Sequence, residues 1–296
     1  MSKKHAIRDP RSDRVLYAVS GAILFLFTLT IIYPLIFIVS CSFSSGVAVA
    51  TGRVYLWPVG FTLDGYKAVF SYARVLVGYR NTLFYTLVGT LINVTLTLIT
   101  AYPLAMPGMQ GKRLYLFLFT FTMFFSGGLV PTYLLVSRLR MTNTVWAMLI
   151  PGALSVYNMI VARTFIQNSI PVELLEAARI DGCSWGKYFL HVVLPLSKAV
   201  IAVITLFYAV GHWNAYFGAF IYLSNRSLHP LQLVLREILV ENSIEVTDVE
   251  LENARQNMRD LLKYALIVVS TVPVLCVYPF VQKYFVTGVM VGSIKG

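Results

Sequence analysis

The sequence predicts an all-α polytopic membrane protein with six transmembrane helices. Of its 296 residues, 57% are hydrophobic and only 12% are charged, whereas about a quarter of an average soluble domain is charged. Apolar runs of roughly 20 residues recur along the chain, and this is the length that crosses a hydrocarbon core as a helix. Because the runs are continuous rather than alternating, helices are favoured over a β-barrel.

The charged and reactive residues exclude several functions. The net charge of +11 is attributed to Lys and Arg flanking the spans, not to nucleic-acid binding. Cys41, Cys183 and Cys276 are too far apart for a metal-ligand spacing, so neither a metal nor a disulfide is predicted. The chain has no phosphate-binding loop and its four histidines are isolated. We therefore predict no catalytic residues and no bound cofactor.

The first two spans are predicted at residues 15–41 and 81–106. The basic residues of the tail, 1–14, place the N-terminus in the cytoplasm. Residues 42–80 are rich in Gly and aromatic residues, which predicts an external loop at the membrane interface.

The third span, residues 114–135, contains Gly127, Gly128 and Pro131 within five positions. Such a cluster weakens a helix, and at membrane depth a break is tolerated only against protein or a water-filled cavity. Two interpretations remain open: a bend that lines the outer part of a pathway, or a span that ends at Gly127.

The remaining spans complete a transmembrane domain at residues 15–286, with both termini in the cytoplasm. The predicted segments are the fourth span (144–167), a cytoplasmic loop (168–195), the fifth span (196–223), an external loop (224–263), the sixth span (264–285) and a cytoplasmic tail (287–296).

The loop 168–195 contains a predicted amphipathic surface helix. Pro171 suits the first turn of a helix. The negative side chains of Glu173 and Glu176 are stabilised near the N-terminus of this helix, which is the positive end of its dipole. Gly182 suits the C-terminal cap, where left-handed geometry is needed. The partly apolar face is formed by Leu174, Leu175, Ala178 and Cys183.

The same stretch carries a spaced motif. Glu176-Ala177-Ala178 is followed after three residues by Gly182, and after nine more by Val192, one residue and Leu194-Pro195. This pattern resembles the EAA signature of ABC importer permeases, except that Val192 replaces the usual Ile. The resemblance implies the type I importer permease fold and identifies the loop as a coupling helix that docks on a separate ATPase. The ATPase-coupling residues it implies are Glu173, Glu176, Ala177, Ala178, Asp181 and Gly182.

The resemblance also implies partners. These are a second, homologous permease, two ATP-binding subunits that bind ATP and Mg²⁺, an extracytoplasmic solute-binding protein and membrane lipid. Residues 124–135 and 280–296 resemble permeases of oligosaccharide importers, including alginate importers and the smaller maltose-importer permease. An oligosaccharide is therefore the expected substrate, carried across the bacterial inner membrane.

Polar and aromatic residues in two spans are candidates for contact with a sugar. They are Asn158, Tyr208, Trp213, Asn214 and Tyr216. Aromatic rings can stack on sugars and amides can bond their hydroxyls, but aromatic residues at helical spacing also pack helices together, and this alternative stays open.

Two other functions are compatible with a polytopic membrane protein. A secondary, ion-coupled sugar carrier usually buries an ionisable coupling group in a span, whereas the mid-span polar residues here are Asn93, Asn158, Asn214 and His212, with no carboxylate. A non-transporting membrane scaffold needs neither a docking loop nor a broken third span. Both fit the sequence less well than an importer permease.

Overall fold

The computed structural model describes residues 11–241, 261–277 and 279, and every element in these residues is helical. The helices are α1 (Arg11–Ser42), α2 (Gly46–Ala50), α3 (Asp64–Ser71), α4 (Ala73–Ala105), α5 (Lys112–Phe124), α6 (Leu129–Arg138), α7 (Trp146–Leu149), α8 (Val156–Ser169), α9 (Val172–Ile180), α10 (Trp185–Tyr188), α11 (Leu194–Leu196), α12 (Lys198–Trp213), α13 (Phe217–Tyr222), α14 (Leu231–Glu241) and α15 (Leu261–Val277). A π-helical turn (Phe189–Val193) links α10 to α11, and a 3₁₀ turn (Arg226–Leu228) precedes α14.

The predicted spans correspond to α1, α4, α5–α6, α7–α8, α12–α13 and α15. Among the described residues, α1 and α4 are each long and apolar enough to cross a membrane. The pair α5–α6 passes the same test as one broken span, and so does Trp185–Leu196 with α12, while α15 is shorter. The predicted tails lie outside the described residues, except for residues 11–14, which form the first turn of α1.

The chain divides into two compact units, residues 1–71 with 242–269 and residues 72–241 with 270–296. In the first unit, Cys41, Ala48 and Val54 form a small buried cluster, and the Ser42 hydroxyl lies 2.8 Å from the Tyr66 hydroxyl. The prediction of a loop at 42–80 is thus wrong in part, because α2, α3 and the start of α4 lie within it. None of the most apolar part of α1 is buried.

Helix α4, in the second unit, begins at Ala73 and not at residue 81. Its first two turns contain Arg74 and Arg80, which lowered the hydropathy on which the predicted boundary rested. Tertiary contacts stabilise these turns: Arg74 forms a 2.6 Å ion pair with Glu237 of α14. Gly78 approaches the backbone of Leu231 so closely that a Cβ would lie 3.2 Å from its Cα.

Helices α4, α8 and α12 form the core of the second unit. Since lipid is as apolar as these side chains, helix association in a membrane depends on close packing and interhelical hydrogen bonds. Both are present: the Thr97 and Tyr208 hydroxyls are 2.7 Å apart, and the Asn93 amide lies 3.2 Å from the His212 ring. The buried core residues are Leu98, Ala101, Leu104, Met159, Ala162, Val200, Ile204 and Tyr208.

Two predicted spans are interrupted. The third ends its first helix at Phe124 and restarts at Leu129 after a bend of 112°, and Gly128 adopts φ +83° and ψ −179°, a conformation open almost only to glycine. The fourth is divided into α7 and α8, with Gly152 at φ +76° between them. In the third span the glycines predicted to weaken the helix lie at the break, whereas the break at Gly152 in the fourth span was not predicted.

The described part of the predicted loop 224–263 packs against α4 and is hydrogen-bonded to it. Asn81 donates to the carbonyls of Ser227 and His229 at 2.7 and 3.1 Å, and the Thr82 hydroxyl accepts the N–H of Leu231 at 2.8 Å. The segment therefore forms a second layer on one end of α4. Residues 242–260 lie outside the described residues.

Replacing Thr82 with valine is expected to lower the thermal stability of the subunit. The change keeps the side-chain shape but leaves the buried Leu231 N–H without its acceptor, which costs about 1–3 kcal/mol. Thr100→Val is the matched control, because the Thr100 hydroxyl donates only to its own helix, on an exposed face. Equal melting temperatures of the two purified variants would contradict the expectation.

Candidate functional site

The predicted surface helix forms as α9, with Pro171 at the N-cap and Glu173 in the first turn. Gly182 has φ +72°, the left-handed geometry expected for a C-terminal cap. The Gly182 N–H donates to Arg179 at 3.1 Å, and the Cys183 N–H donates to Ala178 at 2.8 Å. These two bonds are the Schellman pattern, so the chain reverses direction directly after α9.

One face of α9 is anchored to the transmembrane helices. Leu175 is buried with Ile170, Tyr188 and Val193 in a cluster at the ends of α4 and α8, and Ala178 and Cys183 pack against the same cluster. Leu174 was predicted on this face but is 42% exposed. It lies one position before Leu175, about 100° away around the helix.

The opposite face of α9 is open. Glu173, Glu176, Ala177 and Ile180 are exposed, and their i, i+3, i+4, i+7 spacing places them on one stripe. Ile180 is 87% exposed, an unusual position for a large apolar side chain beside two carboxylates. We call these four residues the α9 outer face. Asp181, the C-cap residue, is also exposed, whereas Ala178 is partly buried.

The segment after α9 connects it to the spans. Arg179 lies over the ring of Trp185, 5.1 Å from its centroid, and the carbonyl of Trp185 accepts a 3.0 Å bond from the Tyr102 hydroxyl of α4. Tyr102 also packs on Phe189, with ring centroids 4.8 Å apart. A force applied to α9 therefore reaches the end of α4 through direct contacts.

The five residues predicted to contact a sugar do not form one surface. Tyr208, Trp213 and Asn158 are buried, at 7%, 6% and 5% exposure. The Trp213 indole donates to the Ser270 carbonyl at 2.9 Å, and its ring meets Tyr79 edge to face. For Trp213 the structure supports the packing alternative. Asn214 and Tyr216 are exposed just past the end of α12, and a pathway role for them stays a prediction.

Residues 75–291 match the family described as "Binding-protein-dependent transport system inner membrane component". The chain belongs to this family. Its members are membrane subunits of transporters, so the predicted inner-membrane location and the importer-permease function are confirmed, and the secondary-carrier alternative is not favoured.

Related proteins match at least nine-tenths of the chain. "Protein LplC" of Bacillus subtilis (strain 168) is 40% identical over 296 residues, covering 100% of both chains. The "Polygalacturonan/rhamnogalacturonan transport system permease protein YtcP" of the same organism is 39% identical, covering 92% of this chain and 96% of its own. A chain from a bacterial ABC transporter involved in import of the acidic polysaccharide alginate superposes with a TM-score of 0.87 at 35% identity, covering 95% of this chain and 100% of its own. The predicted type I permease fold is confirmed.

The permease also contains a cavity that the sequence did not predict. Its volume is about 300 Å³, and it lies between α4, α12 and the break that separates α7 from α8. Tyr208 lines it, as do Asn93 and His212, which were not among the predicted site residues. Histidine inside a predicted span was a usable signal, because ionisable groups at membrane depth are often functional.

Proposed function

We propose that this chain is one of two permease subunits of an ATP-driven importer that carries oligosaccharides of acidic sugars across the bacterial inner membrane. The observation that carries the proposal is the α9 outer face: an open, partly apolar and acidic surface on a helix anchored to the spans. A separate ATPase, holding ATP and Mg²⁺, docks there and drives the cycle. The coupling roles proposed for Glu173, Glu176 and Ala177 follow from their exposure on this face.

The break in the third span supports a second permease. Residues 125–128 are non-helical and exposed in this subunit. Non-helical backbone at membrane depth requires a protein partner or a water-filled cavity to satisfy its polar groups. A second permease packed across this break supplies both, since the two subunits then enclose a pathway. This agrees with the interpretation in which the bend lines the pathway.

The charge at the end of the second unit opposite α9 supports an anionic substrate. Exposed arginines at this end are Arg80, Arg138, Arg140 and Arg226. Among the described side chains, Glu237 is a carboxylate at this end, and it is already paired with Arg74. The positive charge of these exposed arginines attracts an anionic ligand. Polygalacturonan or rhamnogalacturonan and alginate, named for two relatives, are the substrate types this end would suit.

The orientation follows from the same assignment. With the α9 outer face on an ATPase in the cytoplasm, the arginine-bearing end faces outward, where a solute-binding protein delivers the substrate. Both termini are then cytoplasmic, as the basic N-terminal tail predicts.

Purification of the tagged subunit from its native membranes tests the proposal. We expect a second permease and an ATPase to co-purify, and ATP hydrolysis to rise on addition of the binding protein loaded with oligogalacturonate or alginate oligosaccharide. Neutral maltooligosaccharides serve as the control ligand. A lone subunit without ATPase, whose liposomes accumulate sugar under an ion gradient, would contradict the proposal in favour of a carrier.

A further inference from the structure

The cavity between α4 and α12 has the shape and lining of a ligand site. Its volume of about 300 Å³ lies at the lower end of the range for small-molecule pockets, which are mostly apolar with a few placed polar groups. The lining residues are Asn93, Ala147, Met148, Pro151, Gly152, Phe207, Tyr208, Gly211, His212, Ala215, Gly218 and Tyr222.

One polar group in this cavity is incompletely bonded. Asn93 is 4% exposed, its Nδ2 lies 3.2 Å from His212 Nε2, and its buried Oδ1 has no partner among the described residues. If the amide were turned over, the unpartnered atom would be the NH₂ instead. Leaving such a group unpaired in a protein interior is unfavourable. A ligand hydroxyl, which both donates and accepts, satisfies it in either orientation.

The rest of the lining suits a sugar ring. Phe207, Tyr208 and Tyr222 supply aromatic surface, and none of the described lining residues is acidic, so a sugar carboxylate would meet no like charge. Three of the lining residues are glycines, whose lack of a side chain leaves space in the cavity: Gly152, Gly211 and Gly218. At Gly211 a Cβ would have no described atom within 4 Å, so a larger side chain there points into free space.

We infer that this cavity is a binding subsite for a single sugar residue of the transported chain, with Asn93 and His212 bonding its hydroxyl groups. This rests on the proposed function and extends it, because it assigns substrate contact to this subunit itself. The site also explains why polar residues lie between α4 and α12 in a packed membrane core.

Gly211→Leu tests the inference in the complete transporter, reconstituted in proteoliposomes with its second permease, ATPase and binding protein. Leucine fills the cavity and favours the helix more than glycine does. Uptake of alginate oligosaccharide or oligogalacturonate should fall about tenfold or more. The amount of ATPase that co-purifies with the Gly211→Leu variant should match the wild type, which shows that the complex still assembles. Gly21→Leu, on α1 and equally free of neighbours, should leave both unchanged.

Wild-type uptake by Gly211→Leu would overturn the inference, whereas absence of sugar uptake by the wild-type complex would overturn the proposed function instead. If Gly211→Leu fails to assemble, Gly211→Cys decides in a background with Cys41, Cys183 and Cys276 replaced by alanine. A neutral methanethiosulfonate reagent should modify Cys at 211 and block uptake, and transported sugar should slow the modification. No modification, or no protection by sugar, would count against the subsite.

Discussion

Replacing Gly182 with valine is expected to abolish coupled transport while leaving the subunit in the membrane. Gly182 has φ +72° and closes the Schellman bonds that end α9. A left-handed conformation costs an L-residue about 1–2 kcal/mol, and a β-branched residue more. We expect the backbone at Asp181 and at the end of α9 to shift so that residue 182 can adopt a negative φ. This shift would displace the α9 outer face. Uptake and binding-protein-stimulated ATP hydrolysis should both fall about tenfold or more.

Two further variants separate backbone strain from simple bulk. Gly186 lies in the same segment and also has no atom within 4 Å of a built Cβ, but it is inside α10 with ordinary helical geometry. The Gly186→Val variant should therefore show uptake and binding-protein-stimulated ATP hydrolysis at the wild-type level. Gly182→Asn should retain more activity than Gly182→Val, because Asn tolerates left-handed geometry. If valine at 182 and at 186 impaired transport equally, steric exclusion of the ATPase, and not the turn, would be the cause.

Replacing Gly89 with alanine is expected to be the most destabilising small change in the core of the second unit. A Cβ at this position overlaps the imidazole ring of His212 across the α4–α12 contact. The ring can move away only by losing its contact with Asn93. Overpacking of this kind costs about 1–3 kcal/mol. We expect a lower melting temperature of the purified complex and a lower yield.

The double variant Gly89→Ala with His212→Ala should recover the melting temperature, since it removes the overlapping ring. It should not recover uptake if His212 bonds the sugar. Gly21→Ala on α1 is the control for adding a methyl group where the protein leaves open space, and it should melt as the wild type does. Unchanged stability of Gly89→Ala alone would show that α4 and α12 separate easily at this point.

Local features of the sequence were enough to predict the helical class, the spans and the α9 turn. Span length depends on the run of apolar residues, which is why the span predicted at 15–41 agrees closely with α1 (Arg11–Ser42). Glycine conformation is likewise a local property, so the break at Gly128 and the cap at Gly182 were both indicated by the sequence, although the break at Gly152 was not predicted. The helix α9 and its cap were predicted because a short helix and its cap involve only neighbouring residues.

Three features could be seen only in the tertiary structure, because they depend on contacts between residues distant in sequence: the start of α4, the burial of Trp213 and the cavity. The start of α4 at Ala73 is set by α14, which pairs with Arg74 and packs on Gly78, and no local pattern could show this. Trp213 and Asn214 are adjacent in sequence, yet one is buried and the other exposed, because α12 turns one face toward α4. The cavity lined by Asn93 and His212 exists only where helices distant in sequence meet. The sequence by itself therefore determined the helical class and how α9 ends, and the packing of helices determined which side chains are left open to a ligand.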